Sequence, residues 1–185
     1  MVDEFNSWDG SGLSKKLRKR AVIFWDHANT FHPLQEKKIR IDYKRVKERL
    51  AKDYYLLAPV MYLGKPDNLR PEKKGFYRAL RKIGWSIQEK PLRKDMFGNQ
   101  SQYGLDELML SDISILAEED AYEVAIIVSG DSIFSNVIMK LKGIGKKVEL
   151  WGFRDTISQS LIKITGIKNV QYLDDILEEI TFRRS

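Results

Sequence analysis

Short apolar runs alternate with amphipathic stretches about six times along this chain, and that rhythm predicts its elements. Ala21 to Trp25 is uninterrupted apolar, with β-branched and aromatic residues, and suits a strand covered on both faces. Leu56 to Leu63 reads as a second strand, although Pro59 sits awkwardly in its middle. Further strands are predicted at Trp85 to Gln88, Tyr122 to Val128, Lys147 to Trp151 and Asn169 to Tyr172. The intervening stretches carry helical spacing. Asp42 caps a helix from Tyr43 to about Lys52 whose Tyr43, Val46 and Leu50 share one face. Another runs from about Pro71 to Ile83. Leu105, Leu108, Met109, Ile113 and Leu116 mark a helix over Leu105 to Glu118. Ile133 to Lys142, Thr156 to Ile164 and Leu173 to Ile180 complete the set. Such alternation implies an α/β fold, a three-layer α/β/α sandwich with a mainly parallel central sheet and right-handed crossovers.

Interruptions of the pattern place the loops. DHANTFHP breaks it with Asn29 and Pro33, so Asp26 is expected in a βα loop, with His27 and His32 as loop residues and His27 within reach of a substrate phosphate. Lys90 to Gln102, with Pro91, Gly98 and Asn99, has the composition of a mobile loop beside a site. Residues 1 to about 13 are polar and Gly/Ser-containing, and Ser14 to Arg20 adds five positive charges in seven residues. The expected organisation is a flexible basic leader over 1–20 and a single domain over 21–182.

Composition narrows the chemistry. The 185 residues are 43% hydrophobic, enough for one ordinary core. Thirty-two Lys and Arg against 26 Asp and Glu give +6, which favours a polyanionic partner without demanding one. There is no cysteine, so disulfides, thiolate metal sites and cysteine nucleophiles are excluded. No apolar run reaches the length of a membrane span, and the N-terminus lacks a signal-peptide core, so a cytoplasmic protein without membrane contact is expected.

Three carboxylates stand where the pattern concentrates ligands. Asp26 ends the first strand, Asp131 ends the Val124 strand in a Ser129-Gly130-Asp131-Ser132 turn, and Asp106 starts a helix after the polar loop. In a parallel sheet the first two share the carboxyl edge, and a helix arriving there brings the third. Carboxylates gathered together repel unless a cation lies between them, and an all-oxygen set suits Mg²⁺ or Mn²⁺. Glu107 is a neighbouring acid. Asn29, Ser129 and Ser132 are the supporting polar groups. Asp112, about 240 degrees round the helix from Asp106, is expected to act from outside the cluster or on the surface. Each acid also has a purely structural reading: Asp131 as a turn and helix cap, Asp106 as a charge favourable at a helix start.

Taken together, VIFWDHANT, YGLDELMLSDI and IIVSGDSIF followed by GKKVELWGF resemble the NYN domain family of PIN-like nucleases, over roughly residues 21 to 153. The resemblance implies a PIN-like fold and metal-dependent ribonuclease activity with Asp26, Asp106 and Asp131 at the acidic positions, and it matches Asp112 to a further recurrent acid. Three positions depart from the family's pattern. Ile133 stands where a second acid follows Ser-Gly-Asp-Ser, His27 where Gly is common, and Tyr103 where Lys often precedes the Gly.

The leading reading is therefore a Mg²⁺ or Mn²⁺ dependent endoribonuclease acting on RNA. Lys15, Lys16, Arg18, Lys19 and Arg20, with Arg93 and Lys94 of the loop, would guide the backbone. The alternative, raised by Ile133, is a weakened or inactive module of the same fold that binds RNA or a protein partner. A phosphoacceptor domain is disfavoured because dehalogenase-type phosphatases need an acid two residues after the first, where this chain has Ala28. The sequence leaves a homodimer open.

Overall fold

A computed structural model describes residues 18–65, 70–91, 93–94, 100–101 and 104–182. The leader up to residue 17, including Lys15 and Lys16, lies outside the described residues, as does Tyr103. Six parallel strands form the central sheet: β1 (Arg20–Asp26), β2 (Tyr55–Lys65), β3 (Ser86–Pro91), β6 (Val124–Val128), β7 (Lys147–Gly152) and β8 (Val170–Tyr172). Their order is β3-β2-β1-β6-β7-β8. A two-residue antiparallel pair, β4 (Arg93–Lys94) with β5 (Gln100–Ser101), occupies part of the stretch expected to be a loop.

The predicted three-layer sandwich is what forms, because β1 and β6 are apolar at almost every position and need cover on both faces. Ile23, Trp25, Ile126 and Val128 face one core with α1 (His27–Glu36), α2 (Tyr43–Leu50) and α3 (Pro71–Lys82). Phe24, Ala125 and Ile127 face the other, under α4 (Leu105–Glu118), α5 (Ser135–Gly143) and α6 (Gln159–Thr165). A short α7 (Leu177–Ile180) closes the first layer against α2. No helix among the described residues is long and apolar enough to cross a membrane.

One local expectation is corrected, and the strand expected around Pro59 is present. Residues 27–36 are helical, with Asp26 as N-cap accepting the Asn29 N–H, so Asp26 ends the strand and starts α1 without an intervening loop. Pro33 is tolerated inside α1 at its seventh position. Pro59 is tolerated in β2 because β3 pairs only from Val60 onward, which leaves β2 an edge strand where the proline sits.

Candidate active site

The strand order reverses at β1: β2 and β3 extend to one side of it, β6 to β8 to the other. The crevice beyond the carboxyl ends of β1 and β6 is thus the sheet's topological switch point, where open α/β folds take ligands. Asp26 and the Ser129–Asp131 turn lie on its two walls.

Asp26 is only 7% exposed, and it is held from both sides. The Asn29 N–H donates to Oδ1 at 3.3 Å and the Ser129 hydroxyl donates to Oδ2 at 3.0 Å. The side-chain oxygen of Asn29 accepts from the Gly130 N–H at 2.7 Å, and Ser129 Oγ accepts from the Asp131 N–H at 3.2 Å. Asn29 and Ser129 therefore lock the α1 start to the β6 turn across the crevice. Burial pushes the Asp26 carboxyl up to about 6; the two hydrogen bonds oppose this, and the charges of Asp106 and Asp131 add to it. Ser129→Ala removes the hydroxyl that steadies the ionised form. A further rise of the Asp26 pKa is expected, read by NMR titration, with about a tenfold to hundredfold loss in any activity that needs the carboxylate.

Gly130 makes this turn possible. It is buried, and a Cβ there would run into the Thr156 carbonyl, while its own carbonyl accepts from the Ser158 N–H at 3.0 Å. Gly130→Ala is expected to cost about 3 kcal/mol in urea unfolding, because backbone rather than a flexible side chain must give way.

Asp106 reaches the crevice from the first turn of α4, which Leu105, Met109 and Ile113 anchor on the sheet. Its carboxyl is raised by partial burial, then by the charges of Asp131 and Glu107. Asp131 is exposed. Its Oδ1 accepts the Ile133 N–H at 3.0 Å, so it does cap the turn that follows. Asp26 thus senses the charges of Asp106 and Asp131, and Asp106 that of Asp131, while among the described residues none of the three is in an ion pair with Lys, Arg or His. Nor is any group of three or more His, Asp or Glu side chains among the described residues close enough to hold one ion as they stand.

Other expectations fall elsewhere. Glu107 and Ser132 are exposed, and Ile133 is exposed in the turn. Asp112 accepts the Tyr62 hydroxyl at 2.9 Å; Tyr62 lies opposite Asp26 in the β1–β2 register. That bond ties α4 to the sheet, and nothing in the spacing of the sequence announced it. His27 is buried in the first turn of α1, and burial pulls its pKa down to about 4. A neutral imidazole of this kind is no phosphate clamp at pH 7. The described part of the basic run is also remote from that role: Arg18 and Lys19 are exposed just before β1, eight and seven residue steps or about 25 Å of extended chain from Asp26. Arg20 is instead paired with Asp120 at 3.3 Å and Glu123 at 3.6 Å. Arg93 and Lys94 lie in the β4–β5 ladder.

A crystal structure of a protein of unknown function from Vibrio parahaemolyticus is similar to this chain, with a TM-score of 0.74 over 92% of this chain and 100% of that one. At 20% identity the likeness is one of fold. No curated protein matches. The family model of the NYN domain matches residues 20–167.

Proposed function

Since this chain belongs to the NYN domain family, we propose that it is a metal-dependent endoribonuclease whose site is the crevice of Asp26, Asp106 and Asp131. Members of that family are typically nucleases. The observation that carries the proposal is the buried Asp26 carboxyl at the sheet's switch point, fixed at both oxygens and raised first by burial and then by the charges of Asp106 and Asp131, with no ion-pair partner among the described residues. Structural acids at a surface are normally solvated or paired; a buried acid that also feels the charge of two others is a destabilising arrangement that a divalent cation would reverse.

The donor set fits a hard cation, since every group offered is an oxygen. Asp26, Asp106 and Asp131 would hold Mg²⁺ or Mn²⁺, which supplies a water of lowered pKa and charge stabilisation on the phosphate. The chain's own part is positioning. Ser129 and the Asn29 N–H fix both Asp26 oxygens, and α4 presents Asp106 from its first turn. Labelled single-stranded RNA incubated with Mn²⁺ and with EDTA tests the reading. Cleavage that needs the metal and falls when Asp131 becomes Asn supports it; cleavage indifferent to both removes it.

One observation favours a second reading, a binding module of the same fold. Asp131 commits Oδ1 to the turn, and the next acid is replaced by exposed Ile133. RNA retained by the protein but never cut in Mn²⁺ would select it.

A further inference from the structure

A cleft of about 1190 Å³ opens on the opposite face of the sheet from α4, between α1, α2 and α3. It begins at His27, the residue after Asp26, so it adjoins the acidic crevice across the start of α1. Its walls are aromatic. The His27 ring stacks on Phe31 with centroids 5.1 Å apart and lies nearly parallel to Tyr43 at 6.1 Å, and Phe76 leans against it at 5.7 Å. Phe31 is 38% exposed, so the stack of rings reaches solvent rather than ending inside the core.

Cations line the same cleft. Lys38, Arg40, Lys44 and Lys73 border it against two acids, Asp42 and Glu72. Of these acids, Asp42 is engaged, accepting the Lys44 and Arg45 N–H groups and pairing with the Arg45 guanidinium at 3.5 Å. Lys38, Arg40 and Lys73 have no carboxylate partner among the described residues. A purely apolar ligand would leave these charges unused. A flat apolar ring carried on an anionic backbone matches both the walls and the border.

We propose that this cleft receives an unpaired nucleobase of an RNA strand, stacked on Phe31, while Lys73, Lys38 and Arg40 hold the flanking phosphates. The inference rests on the RNA reading and sharpens it to single-stranded RNA, because bases stacked within a duplex cannot enter an aromatic cleft. It places one nucleotide beside the acidic crevice, on the far side of the α1 start. It also accounts for His27, whose buried ring extends the stacking platform.

The test separates this proposal from the nuclease reading by measuring binding in EDTA, where nothing is cut. A short fluorescent single-stranded RNA is compared with the same strand carrying base-free riboses. The wild-type protein is expected to bind the base-containing strand about tenfold tighter, within the range reported for one stacked base. Phe31→Ala is expected to erase that preference, and Phe31→Trp to keep it. Lys73→Glu is expected to weaken both strands. Equal affinity for the two strands, no binding of either, or a preference untouched in Phe31→Ala would overturn the proposal. So would saturable capture of a fatty acid through Phe31 without base preference, which would assign the cleft to an apolar ligand. RNA cut in Mn²⁺ without base preference sinks the cleft alone; base preference without cutting sinks the nuclease reading alone.

Discussion

Asp26→Asn is expected to abolish metal-dependent cleavage and, at the same time, to make the metal-free protein harder to unfold. The first effect follows from removing the charge that Asn29 and Ser129 hold in place, and a loss beyond about a hundredfold is expected, larger than for a supporting residue. The second follows from burial. A carboxyl moved from 3.8 to about 6 destabilises the folded state at neutral pH by about 3 kcal/mol, because the ionised form is the one the fold must carry. The amide carries no charge and still offers an oxygen to the Asn29 N–H. Some of the gain is offset where the Ser129 hydroxyl loses an ionised acceptor, about 1 kcal/mol. A net stabilisation of about 2 kcal/mol in urea, measured in EDTA, is the expected result. A variant both inactive and less stable would mean that Asp26 is chiefly a structural cap. The metal acts in the opposite sense, stabilising wild type by mass action and leaving Asp26→Asn unmoved.

How much of this was legible in the chain depended on whether a signal was local. Periodicity placed α4 at Leu105–Glu118 because its apolar residues recur along one face. The alternation of strands and helices fixed the layers, and with parallel strands the carboxyl edge had to carry Asp26 and Asp131 together. The helix α1 was hidden because Asn29 and Pro33 look like breakers, although Asp26 supplies a cap and Pro33 replaces only one backbone donor. The aromatic cleft was hidden for another reason. Its rings come from His27, Phe31, Tyr43 and Phe76, on three helices, and each alone reads as ordinary core. Arg18 and Lys19 were visible as part of a basic run, but their distance from the site follows from strand direction: a charge just before β1 lies at the amino end, remote from ligands at the carboxyl end.

Asp26 and His27 are neighbours whose burial works in opposite directions, and that opposition is expected to flatten the acid stability of the metal-free wild type. For Asp26 the folded pKa lies above the unfolded one, so its contribution is in place below about pH 4 and is lost as pH rises through about 6. For His27 the folded pKa falls from 6.5 to about 4, so its contribution is in place above about 6.5 and is lost as pH falls through about 4. Each is worth about 3 kcal/mol, and the windows overlap. Asp106 is raised as well and leans the same way as Asp26. Single substitutions should unmask the two slopes. Asp26→Asn is expected to lose about 3 kcal/mol on acidification from pH 6.5 to 4, while His27→Phe, which keeps a ring in the stack, is expected to lose stability as pH rises across the same range. Urea midpoints at half-unit pH steps read both. Parallel profiles for the two variants would show that neither group is buried in the charge state that the geometry of the α1 start requires.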